Sequence, residues 1–200
     1  MTKNPEALAR QQKRTQMRRE QVLAAAEQCF QREGFHAASV NRIAAEAGMS
    51  VGHVYRHFDN KEDIILTLCE RKFADYISHT PRLAVHTKMD TDAVVDTALD
   101  DFDWLVDPVQ ARYVMDVFAE SGRSEQINSI VADQDYRLRH NARVLLEPYF
   151  PPERPEELEC RVEMLVLVLE GLMMRTVANP EGDKARLKLA FRHLMRAILQ

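Results

Sequence analysis

The chain has 200 residues, 46% of them hydrophobic and 29% charged, with a net charge of −4, enough to bury an ordinary core in one small domain plus a larger one. No apolar run reaches the roughly eighteen residues a membrane helix needs, and the N-terminus is charged without an apolar segment, so the expectation is a cytoplasmic protein with neither span nor secretory signal. The three cysteines, Cys29, Cys69 and Cys160, share no CxxC spacing and fit reduced thiols, with redox sensing by one of them left as an alternative.

Charge is unevenly placed. Residues 1–61 hold ten Lys or Arg against six Asp or Glu, a net of +4, while 62–200 hold seventeen against twenty-five, a net of −8. A basic end is what phosphates would meet. Lys3, Arg10, Lys13, Arg14, Arg18 and Arg19 crowd the first nineteen residues. They read as a mixture of a frayed, solvated tail and an arm that follows the DNA backbone or minor groove, mostly disordered over 1–15 without DNA, with Arg18 and Arg19 opening a first helix whose apolar set is Val22, Ala25, Ala26 and Phe30.

Two short periodic segments follow. Val40, Ile43, Ala44 and Ala47 stand at i, i+3, i+4, i+7 behind Ser39 as N-cap, and Val51, Val54, Tyr55 and Phe58 repeat that spacing behind Ser50. Gly48 between them is suited to the positive φ that ends a helix, and Met49 to the core under the turn. Two helices joined by a short turn containing Gly form the unit whose second helix enters the major groove. Ala44 and Ala47 are small where the helices touch. The leftover faces carry Arg42, then Val51, Gly52, His53, Arg56 and His57. Gly52 costs a helix about 1 kcal/mol against Ala, which suggests close approach of the backbone to another surface.

The stretch AASVNRIAAEAGMSVGHVYRHFDNKEDI resembles the DNA-binding signature of the tetracycline-repressor-like (TetR) family of bacterial transcription regulators, closely over residues 18–66, and beyond that only in length and helical layout. The resemblance implies an all-α protein, with a three-helix DNA-binding domain over 1–60 and a larger effector-binding and dimerisation domain over 61–200. It further implies a homodimer that a small molecule releases from a palindromic operator. Carried onto these positions, it places Ser39, Tyr55, His57 and Lys61 at phosphates. Arg42, Val51, Gly52 and His53 would lie at or near base edges. Ser50 and Arg56 complete the expected interface, Arg56 facing phosphate or solvent. Arg42 is the best reader, through a bidentate contact to guanine. Periodicity alone would bury Tyr55, so a core role for it stays open. His53 and His57 have the spacing of a helical zinc pair, but no Glu lies between them and no third ligand follows, so no metal is expected.

Past residue 61 the pattern predicts helices over Lys61–Ser78, stopping before Pro81, then Asp90–Val106, Val109–Ser121, Ser124–Leu146, Pro155–Ala178 and Asp183–Leu199, with Glu147–Pro155 as a stiff loop. In the acidic run, Asp92, Asp96, Asp100, Asp103 and Asp107 oppose Val95, Ala98, Leu99, Phe102 and Leu105, which reads first as a solvated face. Trp104 on the acidic side offers an alternative, a seat for a lipophilic cation. Candidate walls of an effector pocket are Tyr113, Met115, Phe118, Tyr136, His140, Met164 and Leu167. Candidate dimer contacts are Leu165, Leu169, Leu172, Leu187, Phe191, Leu194 and Ile198, with Gly171 allowing close helix approach; an intramolecular core is the alternative.

No GxSxG, GxxxxGK, HExxH or GxGxxG occurs, so an enzyme is not expected, and no cofactor is implied. The expected partners are operator DNA, a second copy and a small-molecule effector, with no membrane. The rival reading is a constitutive helix-turn-helix DNA binder without a ligand.

Overall fold

The computed structural model describes residues 5–79 and 90–200, and among these it contains ten α-helices, one 3-10 turn and no strand. They fall into two compact units, Met1–Arg71 and Lys72–Gln200. The division lies inside one helix, at 71/72, whereas the resemblance implied 60/61. The stop before Pro81 lies outside the described residues.

In the first unit, α1 runs Pro5–Ala37 with a break at Gly34, where φ is 76°. The expectation of a disordered arm over 1–15 fails from residue 5 onward. Pro5 opens the helix, Glu6 sits in its first turn and pairs with Arg10 at 3.3 Å, and no further Gly or Pro interrupts the chain before Gly34. Helix propensity outweighs the repulsion of spaced, solvated charges here. Lys3 lies outside the described residues. Arg18 and Arg19 therefore sit well inside α1, not at its start.

Helix α2 (Val40–Glu46) and α3 (Val51–Val54) follow, capped as expected: Ser39 Oγ accepts from Arg42 N at 3.3 Å and Ser50 Oγ from His53 N at 3.2 Å. Between them Gly48 takes φ 62°, while Gly48 N donates to Ala45 O at 3.1 Å and Met49 N to Ala44 O at 2.9 Å. That paired closure of the last turn needs a left-handed residue at Gly48. Ile43, Ala44, Ala47, Val54 and Phe58 are buried, as are Val22, Leu23, Ala26 and Phe30 of α1 and Ile64 and Leu68 of the next helix, and α2 packs against α1 and α3. Met49 is only half-buried.

Helix α4 (Lys61–His79) carries Ile64, Ile65 and Leu68 in the first unit and Phe73 in the second. The expected Asp90–Val106 helix is two, α5 (Thr91–Asp100) and α6 (Phe102–Leu105), broken at Asp101. Asp90 caps α5, and Asp107 caps the next helix, so these acids serve helix N-termini rather than a stripe. The second unit continues with α7 (Pro108–Ser121), α8 (Glu125–Leu146), a 3-10 turn at Glu147–Tyr149, α9 (Pro155–Ala178) and α10 (Lys184–Ile198). Helix α9 packs against α6, α7, α8 and α10, which explains why its sequence is apolar on nearly every side.

Candidate nucleic-acid interface and effector cavity

The helix-turn-helix presents its polar groups on a surface held from behind. Arg19 of α1 donates to His57 O at 2.6 Å and to Thr67 Oγ1 at 3.2 Å, with its guanidinium 4.1 Å from the Phe58 ring centroid. Gln21 Nε2 donates to Ala47 O at 2.7 Å, which satisfies a carbonyl at the end of α2. Glu20 and Arg71 form a two-bonded pair that lowers the Glu20 carboxyl pKa and raises that of Arg71. Arg19 is thus a clamp inside the unit.

In front of this frame, Ser39, Arg42, Ser50, Gly52, Tyr55 and Arg56 are exposed and Val51, His53, His57 and Lys61 half-buried. Tyr55 is 49% exposed, which settles its stripe position in favour of the surface. A Cβ built on Gly52 meets nothing within 4 Å, so no part of this chain requires glycine there. Arg42 Nη1 is ion-paired with Glu33 Oε2 at 2.7 Å, and the guanidinium has further N–H donors beyond that pair. Lys61 Nζ donates to Phe35 O at 3.0 Å and His36 O at 3.4 Å, at the end of α1. The His53 and His57 rings lie 5.5 Å apart, tilted by 32°. Burial first, then the charges of His53, Arg19, Arg18 and Arg56, hold the His57 imidazole pKa below the usual range. Among the described residues no group of three or more His, Cys, Asp or Glu could hold a metal.

The second unit contains a cavity of about 200 Å³. Its apolar wall is Phe73 of α4, Val114 and Phe118 of α7, Val131 and Leu138 of α8, and Met173 of α9; Gln134, Asp135 and Glu170 complete it. Gln134 is 6% exposed and its Nε2 has no hydrogen-bond partner. Burial raises the Glu170 carboxyl pKa and the Asp135 charge adds to this, against Arg139. Arg139 is already engaged, donating Nε to Asp135 Oδ2 at 2.8 Å and pairing with Glu163. Buried polar groups left short of partners are costly unless something else meets them.

The sequence pattern of the bacterial regulatory proteins of the tetR family matches residues 22–68. Over 57 residues the chain is 37% identical to the fatty acid metabolism regulator protein of Bacillus subtilis, covering 28% of this chain and 29% of that one. Over 58 residues it is 36% identical to the HTH-type transcriptional repressor AcnR of Corynebacterium diphtheriae, 29% of this chain and 30% of that. The aligned part is thus under a third of these relatives' length. A crystal structure described as a TetR-family transcriptional regulator from Mesorhizobium loti superposes with TM-score 0.76 at 18% identity, over 93% of this chain and 96% of that one. Residues 22–68 thus carry the tetR-family regulatory pattern, and the helical fold matches that of the Mesorhizobium loti protein over nearly its whole length. The chain's relatives are transcriptional regulators rather than enzymes, and none of its described helices is long and apolar enough to cross a membrane.

Several expected positions move. Of the proposed pocket walls, Phe118 lines the cavity, Tyr113 is buried and Met115 half-buried. Tyr136 (70% exposed), His140, Met164 and Leu167 (64% exposed) lie outside. The cavity face of α8 is the Val131, Gln134, Leu138 row, and Tyr136 and His140 project away from it. Of the proposed dimer contacts, Leu165, Leu169, Leu172, Phe191 and Ile198 are buried in the chain's own core, Leu187 is half-buried, and only Leu194 is exposed. The outward face of α9 instead carries Met164, Leu167, Gly171 and Met174, and nothing lies within 4 Å of a Cβ built on Gly171. The acidic face of α5 is not simply solvated: Asp92 pairs with Arg196 at 2.7 Å and Asp96 with Arg192 at 3.3 Å, both on α10. Trp104 is half-buried on α6 and does not line the cavity.

Of the nine residues that line the cavity the sequence pattern pointed to Phe118 alone, and among those it missed two polar ones carried a signal. Gln134 falls on the apolar row of α8, and Glu170 is the one charge within 164–174 of α9.

Proposed function

We propose that this protein is a homodimeric repressor released from a near-palindromic operator when a small molecule enters the cavity of the second unit. The observation that carries the effector half of this reading is the cavity: an apolar chamber with an amide donor and a carboxylate lacking partners suits a ligand better than a finished core. Regulator relatives, one of them a repressor by name, support the DNA half.

In this reading the hydroxyls of Ser39 and Ser50, whose oxygens already accept as caps, donate outward to phosphates, as do Tyr55, His57 and Arg56. Lys61 spends two of its three donors on the end of α1 and has one left for phosphate. Arg42, Val51, Gly52 and His53 meet base edges, with Gly52 letting the backbone come close. The exposed row Met164, Leu167, Gly171, Met174 on α9, with Leu189 and Leu194 on α10, pairs with its copy about a two-fold axis. Helix α4 reaches from Lys61 to the cavity wall at Phe73, so a ligand that shifts Phe73 acts on the helix that carries Lys61.

The test is operator selection from a random duplex library, followed by titration of the complex with small molecules. A two-half-site operator lost on adding a compound supports the proposal. Linkage then requires saturating operator to weaken that compound by the same factor. Equal compound affinity with and without operator would leave a constitutive DNA binder.

A further inference from the structure

The cavity's polar side carries more acid than base. Asp135 and Glu170 line it, Glu163 stands beside them, and Arg139 is the cation facing all three, committed to Asp135 and Glu163. Glu170 is half-buried in α9 with no hydrogen bond or ion pair of its own among the described residues. Its raised pKa has the same origin, a carboxylate removed from water beside another negative charge. Gln134 Nε2, buried and unpartnered in the same lining, is a donor awaiting an acceptor. Phe73 and Phe118, 6.4 Å apart and edge to face, form an aromatic wall, and Met173 lies on α9 three residues beyond Glu170.

We infer that the effector is a small lipophilic amine in its protonated form, its ammonium at Glu170, an acceptor atom at Gln134 Nε2 and its apolar body against Phe73, Phe118 and Met173. This rests on the effector reading above and adds the ligand's chemical class. An anionic ligand would bring a further negative charge to a site that already repels one of its own carboxylates. A neutral one would fill the apolar wall but leave the half-buried Glu170 without a direct counter-charge. A cation supplies the missing partner, and the aromatic faces tolerate its positive end during entry.

The test uses calorimetric titration of the full chain with phenethylamine, phenethyl alcohol and phenylacetate, which share a shape and differ in charge. The amine is expected to bind at least about tenfold more tightly than the alcohol, with phenylacetate weakest. Phenylalanine methyl ester, an amine with an added carbonyl acceptor, should bind more tightly than phenethylamine, and Gln134→Leu should remove that gain. Glu170→Gln should erase the amine's advantage over the alcohol, with the helical circular dichroism of the variant matching the parent. An amine no tighter than the alcohol, a preference for phenylacetate, absence of binding by all four compounds, or an amine preference that survives Glu170→Gln would each overturn the inference. Amine binding that follows this pattern yet leaves operator occupancy unchanged overturns the effector reading and keeps the site chemistry. Operator release by an unrelated anion does the reverse.

Discussion

Two leucines on α9, two residues apart, should respond in opposite ways to the same substitution. Leu165 is 1% exposed and Leu167 is 64% exposed. Replacing Leu165 with Arg deletes a buried side chain, worth about 2–5 kcal/mol by itself, and inserts a guanidinium for which the described core offers no partner, at several kcal/mol more. Against a net stability of about 5–15 kcal/mol for a domain of this kind, Leu165→Arg should unfold the second unit. At Leu167 the same change is a surface substitution within about 0.5 kcal/mol in the monomer. In a two-fold pair, however, that arginine faces the apolar row of the other copy and an identical charge near the axis. Leu167→Arg should therefore give a folded monomer, and Leu194→Arg, at a site 46% exposed, should do likewise. Light scattering gives the mass and circular dichroism the helix content. A Leu167→Arg protein that remains dimeric would refute the assignment of this face, and a Leu165→Arg protein with unchanged melting would refute the buried phase of α9.

Arg42→Ala should relax base preference by about 1–3 kcal/mol at one operator position, whereas Tyr55→Phe should weaken all sequences alike; binding to a panel of single-base operator variants separates the two. Gly48→Ala forces a side chain into φ 62° and should cost about 1–2 kcal/mol, read by thermal unfolding. Gly52→Ala meets no neighbour and should hold or raise stability while lowering operator affinity, so a loss of stability there would reveal an internal role for the glycine. His57 is held neutral in the fold to a lower pH than in the unfolded chain. The unfolded state then takes up the proton first, so stability is complete above about pH 6.5 and declines as pH falls from there toward the folded pKa. His57→Gln should flatten that part of the stability–pH curve, and an unchanged slope would assign it to another group.

What could be read in the sequence is what local rules determine. Ser39, Ser50, Asp90, Asp107, Ser124 and Asp183 each accept from a backbone N–H in the first turn of their helix, and Gly48 closes α2, because a cap or a left-handed turn needs only its nearest neighbours. What could not be read was rotational phase. An amphipathic helix announces its buried side by the polar side opposite, and α2 and α8 do so. Helix α9 has polar residues only near its ends and at Glu170, so its leucine seam and its outward Met164, Leu167, Met174 row satisfy the same helical spacing. The choice between them is made by α6, α7, α8 and α10, elements distant in sequence whose packing no local period encodes.

The same helix shows where a period that fails to resolve packing can still point to a site. Once α9 is known to be covered on several sides, Glu170 within its apolar run must sit at an edge of the core, and it has to find water, a partner or a ligand there. Gln134 poses the same question from α8, where the row Ile127, Gln134, Leu138, Ala142 and Leu145 is otherwise apolar. Two polar residues misplaced on two facing helices, each short of a partner, are an expensive coincidence for a core. They cost less if the space between them is meant to be filled by a molecule that carries the complementary groups, and it is their joint position, more than the chamber's size, that separates a binding cavity from a packing defect.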